Sequence, residues 1–186
     1  NVYHDYCYQW YWICSTILGI KKCNFVNIPI YMQMKLVINQ VFDTPVLFEE
    51  DYPKVEEPAV VERKNQMSRD KTKECNLILE DTYQISYKQI PKEKQSLYTI
   101  KVSRYNPQIS GRHYSQSFVQ KIMDVVNKLD KDTTINLYAT TNPQNTLHIA
   151  RCAFTMANRG NIAHLVIFQQ SASQGRHFEN MGIKIY

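Results

Sequence analysis

Glycine is scarce in this chain, with five in 186 residues. That shortage excludes collagen-like and Gly/Ser-linker compositions. It goes with the absence of the glycine-rich phosphate signatures, since neither GxGxxG nor a P-loop occurs, and GxSxG and HExxH are missing too. With none of these, no known catalytic constellation is legible, and the expectation is a non-catalytic protein without a cofactor. Cysteines are few, odd in number and scattered, at Cys7, Cys14, Cys23, Cys75 and Cys152, with no CxxC pair. That spacing argues against a disulfide framework and a zinc site, and unpaired thiols in a reducing compartment are the default expectation. An intracellular location follows, in nucleus or cytoplasm, with the mitochondrion as the alternative. The histidines His113, His148, His164 and His177 fall on separate elements, so they make no metal site.

Long apolar runs are also missing. Residues 6–20, YCYQWYWICSTILGI, form the densest aromatic stretch and are followed by Lys21 and Lys22. About 15 residues fall short of the roughly 20 that span a bilayer as a helix. A signal peptide lacks its basic start here, and a transit peptide lacks its Arg and Ser. An arm packing on a partner is the bland reading; membrane association through residues 6–20 stands beside it but is not favoured. The chain opens at Asn1 rather than Met, which reads as a fragment, a processed product or a misplaced start, with Met32 and Met34 as candidate initiators. Residues 1–48 are therefore set apart as an aromatic and apolar arm, with some β-structure expected around Lys35–Phe42 from its β-branched content.

Residues 49–96 read as an acidic, largely extended linker. Glu49, Glu50, Asp51, Glu56, Glu57 and Glu62 are punctuated by Pro53 and Pro58, and like charges with proline favour a solvated chain. Within it, Cys75–Ile90 holds two short β-like runs that fit an edge hairpin. A polar joint, Pro91–Ser96, then marks a domain boundary. Charge divides at the same place, with 11 Lys/Arg against 13 Asp/Glu up to Glu93 and 11 against 4 from Lys94 onward. The basic excess sits wholly in the second half, which favours a polyanionic partner.

Residues 97–186 are the regular part of the chain. Leu97–Arg104 alternates as a half-buried strand, with Tyr98, Ile100 and Val102 inward. Phe118, Ile122, Val125 and Leu129 then follow a helical period. Thr134–Ala139 alternates again, and Asn142 with Pro143 marks a helix start by cap and first-turn proline. Ile162–Phe168 reads as a central strand, and Met181–Tyr186 closes the chain as another. The expected fold class is α/β, a two-layer sandwich of order β-α-β-α-β-β. It has a four-stranded mixed sheet with two helices on one face.

That element order, with a basic hairpin loop before the last strand, resembles the Alba superfamily of DNA- and RNA-binding proteins. The resemblance rests on Tyr98–Arg104, Phe118–Leu129, Ile135–Ala139 with Asn145–Ala157, Ile162–Phe168 and Ile183–Ile185. It implies RNA or DNA binding, RNA favoured, and a homo- or heterodimer with another Alba-like subunit, in a ribonucleoprotein or in chromatin. Arg104 and Arg112 fall near the family's basic positions at the first strand's end and first helix's start. Arg176, with His177 beside it, matches the basic hairpin. Lys121 adds a charge, and Tyr105 and Phe178 are candidates for base stacking. The segment Ala139–Asn145 departs from the pattern, lacking the family's glycine and basic residue. The alternative is a structural subunit of a large assembly, using its N-terminal arm with the α/β domain as scaffold.

Overall fold

The computed structural model describes residues 29–38, 57–69, 72–105, 113–155, 162–171 and 175–186. Its elements in chain order are α1 (Ile30–Ile38), β1 (Val60–Lys64), β2 (Glu74–Glu80), β3 (Tyr98–Ser103), α2 (Gln116–Asn127), β4 (Thr133–Ala139), α3 (Pro143–Ile149), β5 (Ile162–Phe168) and β6 (Ile183–Lys184). Among the described residues these strands form one six-stranded sheet, ordered β1-β3-β2-β4-β5-β6. The α/β class holds, while the four-stranded count and the simple topology do not.

Two strands come from the stretch read as linker. β2 is no edge hairpin; it lies in the middle, parallel to both β3 and β4. Its period is a strict two. Cys75, Leu77 and Leu79 enter the main core, while Ile78 enters a second cluster on the opposite face. Interleaved Glu74, Asn76 and Glu80 hide that alternation in the sequence. They are tolerated because each finds partners: Asn76 Nδ2 donates to Thr99 Oγ1 (3.0 Å), and Asn136 Nδ2 donates to Glu74 Oε1 (2.8 Å). β1 pairs antiparallel with β3, Val60 opposite Ser103 and Lys64 opposite Thr99. Its largely exposed, charged VVERK sequence fits an edge. β3, expected half-buried, is covered on both faces, with Thr99 and Lys101 buried as well as Ile100 and Val102.

The β-structure expected around Lys35–Phe42 is corrected for Lys35–Ile38, which belong to α1; residues 39–42 lie outside the described set. The Pro29 carbonyl accepts from Met32 N and Gln33 N, opening the helix. Met34, Leu36, Val37 and Ile38 are then buried in the main core, so tertiary packing overrides β propensity. The expected second helix starts where its sequence says. The Asn142 side chain accepts from Asn145 N (3.0 Å), and Pro143 takes the first turn. A π-helical turn, Ala150–Phe154, continues it; Ala157 and the expected Asn158–Gly160 stop lie outside the described residues. Ser115 caps α2 through Phe118 N (3.2 Å).

α1, α2 and α3 all pack on one face, around Phe118, Ile122, Phe154, Leu77 and Leu137. On the other face Tyr138 stacks on Phe168 (4.8 Å between centroids) and meets Phe178 edge-on (5.1 Å). Ile85 and Ile90, from the β2–β3 connection, close that second cluster. Cys75 and Cys152 are free, and burial pushes the Cys75 thiol up to about 12.

β6 approaches β5 closely at Gly182. A Cβ there would fall on Val166 Cγ1 and lie 2.8 Å from Phe168 Cε2. Gly182→Ala is expected to cost about 1–3 kcal/mol through this overpacking, read as a lower urea midpoint at unchanged slope.

Candidate functional site

The chain leaves β2 and β4 in different directions. From β2 it crosses the face of Ile85 and Ile90 to reach β3 on one side; from β4 it passes through α3, on the helical face, to β5 on the other. The carboxyl ends of β2 and β4 thus flank a topological switch point, where open α/β sheets form a crevice. Every element reaching this edge ends in polar residues: Glu80-Asp81 after β2, Ser103-Arg104 after β3, Thr140-Thr141-Asn142 after β4.

Asp81 is the centre of that edge. Its Oδ1 accepts from Arg104 Nη1 at 2.8 Å. Its Oδ2 accepts from Asn142 N (3.0 Å), Asn142 Nδ2 (3.0 Å) and Asn145 Nδ2 (2.9 Å). The His113 carbonyl lies alongside and takes three donors: Arg104 Nη1 (2.9 Å), Asn142 Nδ2 (2.8 Å) and Asn145 Nδ2 (3.0 Å). Asn145 Oδ1 in turn accepts from Ser115 N at 3.1 Å. Thr140 laces the two strand ends: Thr140 N donates to Leu79 O, Thr82 N donates to Thr140 O, and Thr140 Oγ1 donates to Tyr83 O. All of these polar residues except half-buried His113 and Thr82 and exposed Tyr83 are buried.

Burial raises the Asp81 carboxyl above its ordinary value, opposed by the bonds from Asn145 and Asn142 and by the charge of Arg104. Four donors thus occupy the two carboxylate oxygens. One edge of Arg104 is left over. Its side-on fork, Nε and Nη2, makes no hydrogen bond among the described residues, and Nε is buried.

The residues expected from sequence are not brought together as a set. Arg104 is at the site but 8 % exposed and ion-paired. Tyr105 follows it and stays 36 % exposed. Arg176 and His177 are exposed in the loop before β6, where the Arg176 guanidinium lies 4.0 Å over the Tyr83 ring. Lys121 is on the solvent face of α2. Phe178 is buried at 4 % in the second cluster, which removes it as a stacking platform. Arg112 lies outside the described residues. Sequence reasoning missed Asp81 and Asn145 and read Asn142 only as a cap. The signal for them is the polar pair or triplet directly behind three successive β-like runs.

The fold and this edge define a six-stranded mixed α/β sheet with its helices on one face and a polar edge at the topological switch point. By sequence the chain belongs to the SMODS- and Ubiquitin system-associated 2TM effector domain family, whose model matches residues 1–185. Among solved structures it is similar to the Acinetobacter baumannii Cap4 SAVED/CARF-domain containing receptor, determined with the cyclic trinucleotide 2'3'3'-cAAA. The TM-score is 0.59 at 7 % identity, over 86 % of this chain and 37 % of that one. The likeness is one of fold, and this chain spans about a third of the receptor's length. No curated protein matches the sequence.

These findings overturn the Alba resemblance, and with it the Alba-like RNA- or DNA-binding function, the ribonucleoprotein reading and the Alba-type dimer partner. The scaffold alternative gives way as well, since the family is one of effectors. The physical reason is β2, inserted between β3 and β4, so that the first βα unit does not join neighbouring strands. The segment Ala139–Asn145 lacks a phosphate-binding glycine and arginine because it is built to hold Asp81.

Removing that carboxylate strands Arg104 as a buried charge. Asp81→Ala is expected to lower unfolding free energy by about 3–5 kcal/mol, against about 1 kcal/mol for Thr141→Ala, which loses one hydroxyl pair with Thr146. Urea titration of both variants checks the contrast.

Proposed function

We propose that this chain is a sensing effector domain that recognises a small cyclic oligonucleotide at the carboxyl ends of β2, β3 and β4. The observation that carries the reading is the convergence of Asp81, Arg104, Asn142 and Asn145 on a switch-point edge. The fold is shared with a receptor described with a cyclic trinucleotide, which supports that ligand class over a linear polymer. Such a compact ligand suits a crevice flanked by strand ends. Arg104, Tyr105 and Arg176 supply cation and ring at or near that edge. In this reading the domain binds its ligand without turning it over, because the Asp81 carboxylate is already taken up by four donors.

The test is a melting series with a panel of cyclic di- and trinucleotides, including 2'3'3'-cAAA. A cognate ligand at about 100 times Kd adds about 2.7 kcal/mol, a rise of roughly 5–10 °C. The ligand is recovered intact by mass spectrometry after incubation. A chain that melts unchanged with every cyclic ligand does not have this function.

The family's description, a 2TM effector domain matching from residue 1, also supports a membrane role for the aromatic stretch at residues 6–20, with Lys21 and Lys22 behind it. No helix among the described residues is long and apolar enough to cross a membrane. Native protein is expected in the membrane pellet after alkaline carbonate extraction, and a chain starting at Met32 in the supernatant.

A further inference from the structure

Arg104 is held on one side only. Nη1 is fixed by Asp81 Oδ1 (2.8 Å) and the His113 carbonyl (2.9 Å). The residue is more than nine-tenths buried, yet its Nε has no acceptor among the described residues. A buried guanidinium N–H left unpaired costs free energy that a charged acceptor would return. The side-chain N–H groups of Asn142 and Asn145 turn inward onto Asp81 and the His113 carbonyl. The Arg104 side-on fork is the exception.

We infer that this fork is a subsite for one phosphodiester group of the ligand, with Asp81 as its positioning residue. The inference rests on the cyclic-oligonucleotide reading and adds where a phosphate sits. A guanidinium offers two parallel N–H bonds along the Nε/Nη2 edge, a fit for two phosphate oxygens. Asp81 keeps its hold on Nη1 while that happens, so the phosphate completes the arginine rather than displacing the carboxylate. The pairing also fixes the plane of the fork before ligand arrives, which spares the ordering cost of a long side chain. Lysine cannot replace it, because an ammonium presents a point charge and no fork.

Calorimetry on the full chain tests this with the tightest-binding cyclic nucleotide of the panel and its analogue carrying one neutral methylphosphonate linkage, taken at each linkage in turn. Arg104→Lys keeps the charge beside Asp81 and is expected to lose about tenfold or more in affinity. At one linkage the neutral analogue loses as much on the wild-type chain but little further on the variant, since both changes remove the same contact. If Arg104→Lys does not fold, the charge-neutral pair Asp81→Asn with Arg104→Gln takes its place in the same cycle. Wild-type binding with independent, additive losses at every linkage overturns the subsite and leaves the ligand reading standing. No wild-type binding to any member of the panel overturns both.

Discussion

A carboxylate buried at the end of a central strand is costly, by several kcal/mol even after relaxation. Asp81 is such a group, and the upper edge of this sheet is arranged to meet that cost. Its four donors come from the residue after β3, from the N-cap of α3 and from α3 itself. The stretch before α2 joins through the His113 carbonyl and Ser115 N. None of these partners can shift without leaving a charge or a donor unpaired. A single carboxylate thereby sets the mutual positions of β2, β3, α3 and the approach to α2.

The neighbouring residue does the same on the opposite face. Glu80 pairs with Lys101 at 2.6 Å and accepts from Ile85 N and Ser103 Oγ, both at 2.7 Å. Successive residues of a strand point to opposite faces, so Glu80 and Asp81 send adjacent charges to the two sides of one sheet. Glu80 anchors the β2–β3 connection over Tyr138 and Phe168, and Asp81 anchors the helical layer. Anything that moves the end of β2 is felt on both faces.

Much of the second half was legible in its sequence, because periods of two and of about 3.6 are written in apolar residues there. Phe118, Ile122 and Val125 announce α2, and Asn142-Pro143 announces α3. β2 was legible only as a short β-like run at an edge, and its central place was hidden for an energetic reason. Its polar positions, Glu74, Asn76 and Glu80, look like a soluble linker until the partners that satisfy them are known. α1 was misread because β-branched residues describe local preference, and burial in the main core outweighs it. At the site, Arg104 was visible as a basic residue behind a strand. Its partner was not, since Asp81 lies 23 positions earlier in a stretch that reads as turn.

Ion pairing also links the two halves of the chain. Every ion pair among the described residues crosses the line between Glu93 and Lys94: Arg69 with Asp130, Lys73 with Asp132, Lys94 with Glu74, Lys101 with Glu80 and Arg104 with Asp81. Three of these pairs set a cation of the second half on an acid of the first and two run the other way, so the pairing ties the halves together and offsets only a small part of the contrast. Lys94, Lys101 and Arg104 spend their charge on carboxylates of the first half, so the net sum overstates what a polyanion would meet. What the described residues leave unpaired at the switch-point edge is small and directional: the side-on fork of Arg104, with Tyr105 next to it in the chain. On the proposed reading, that inventory suits a few phosphates on a compact ring better than the repeating charge of a nucleic-acid strand.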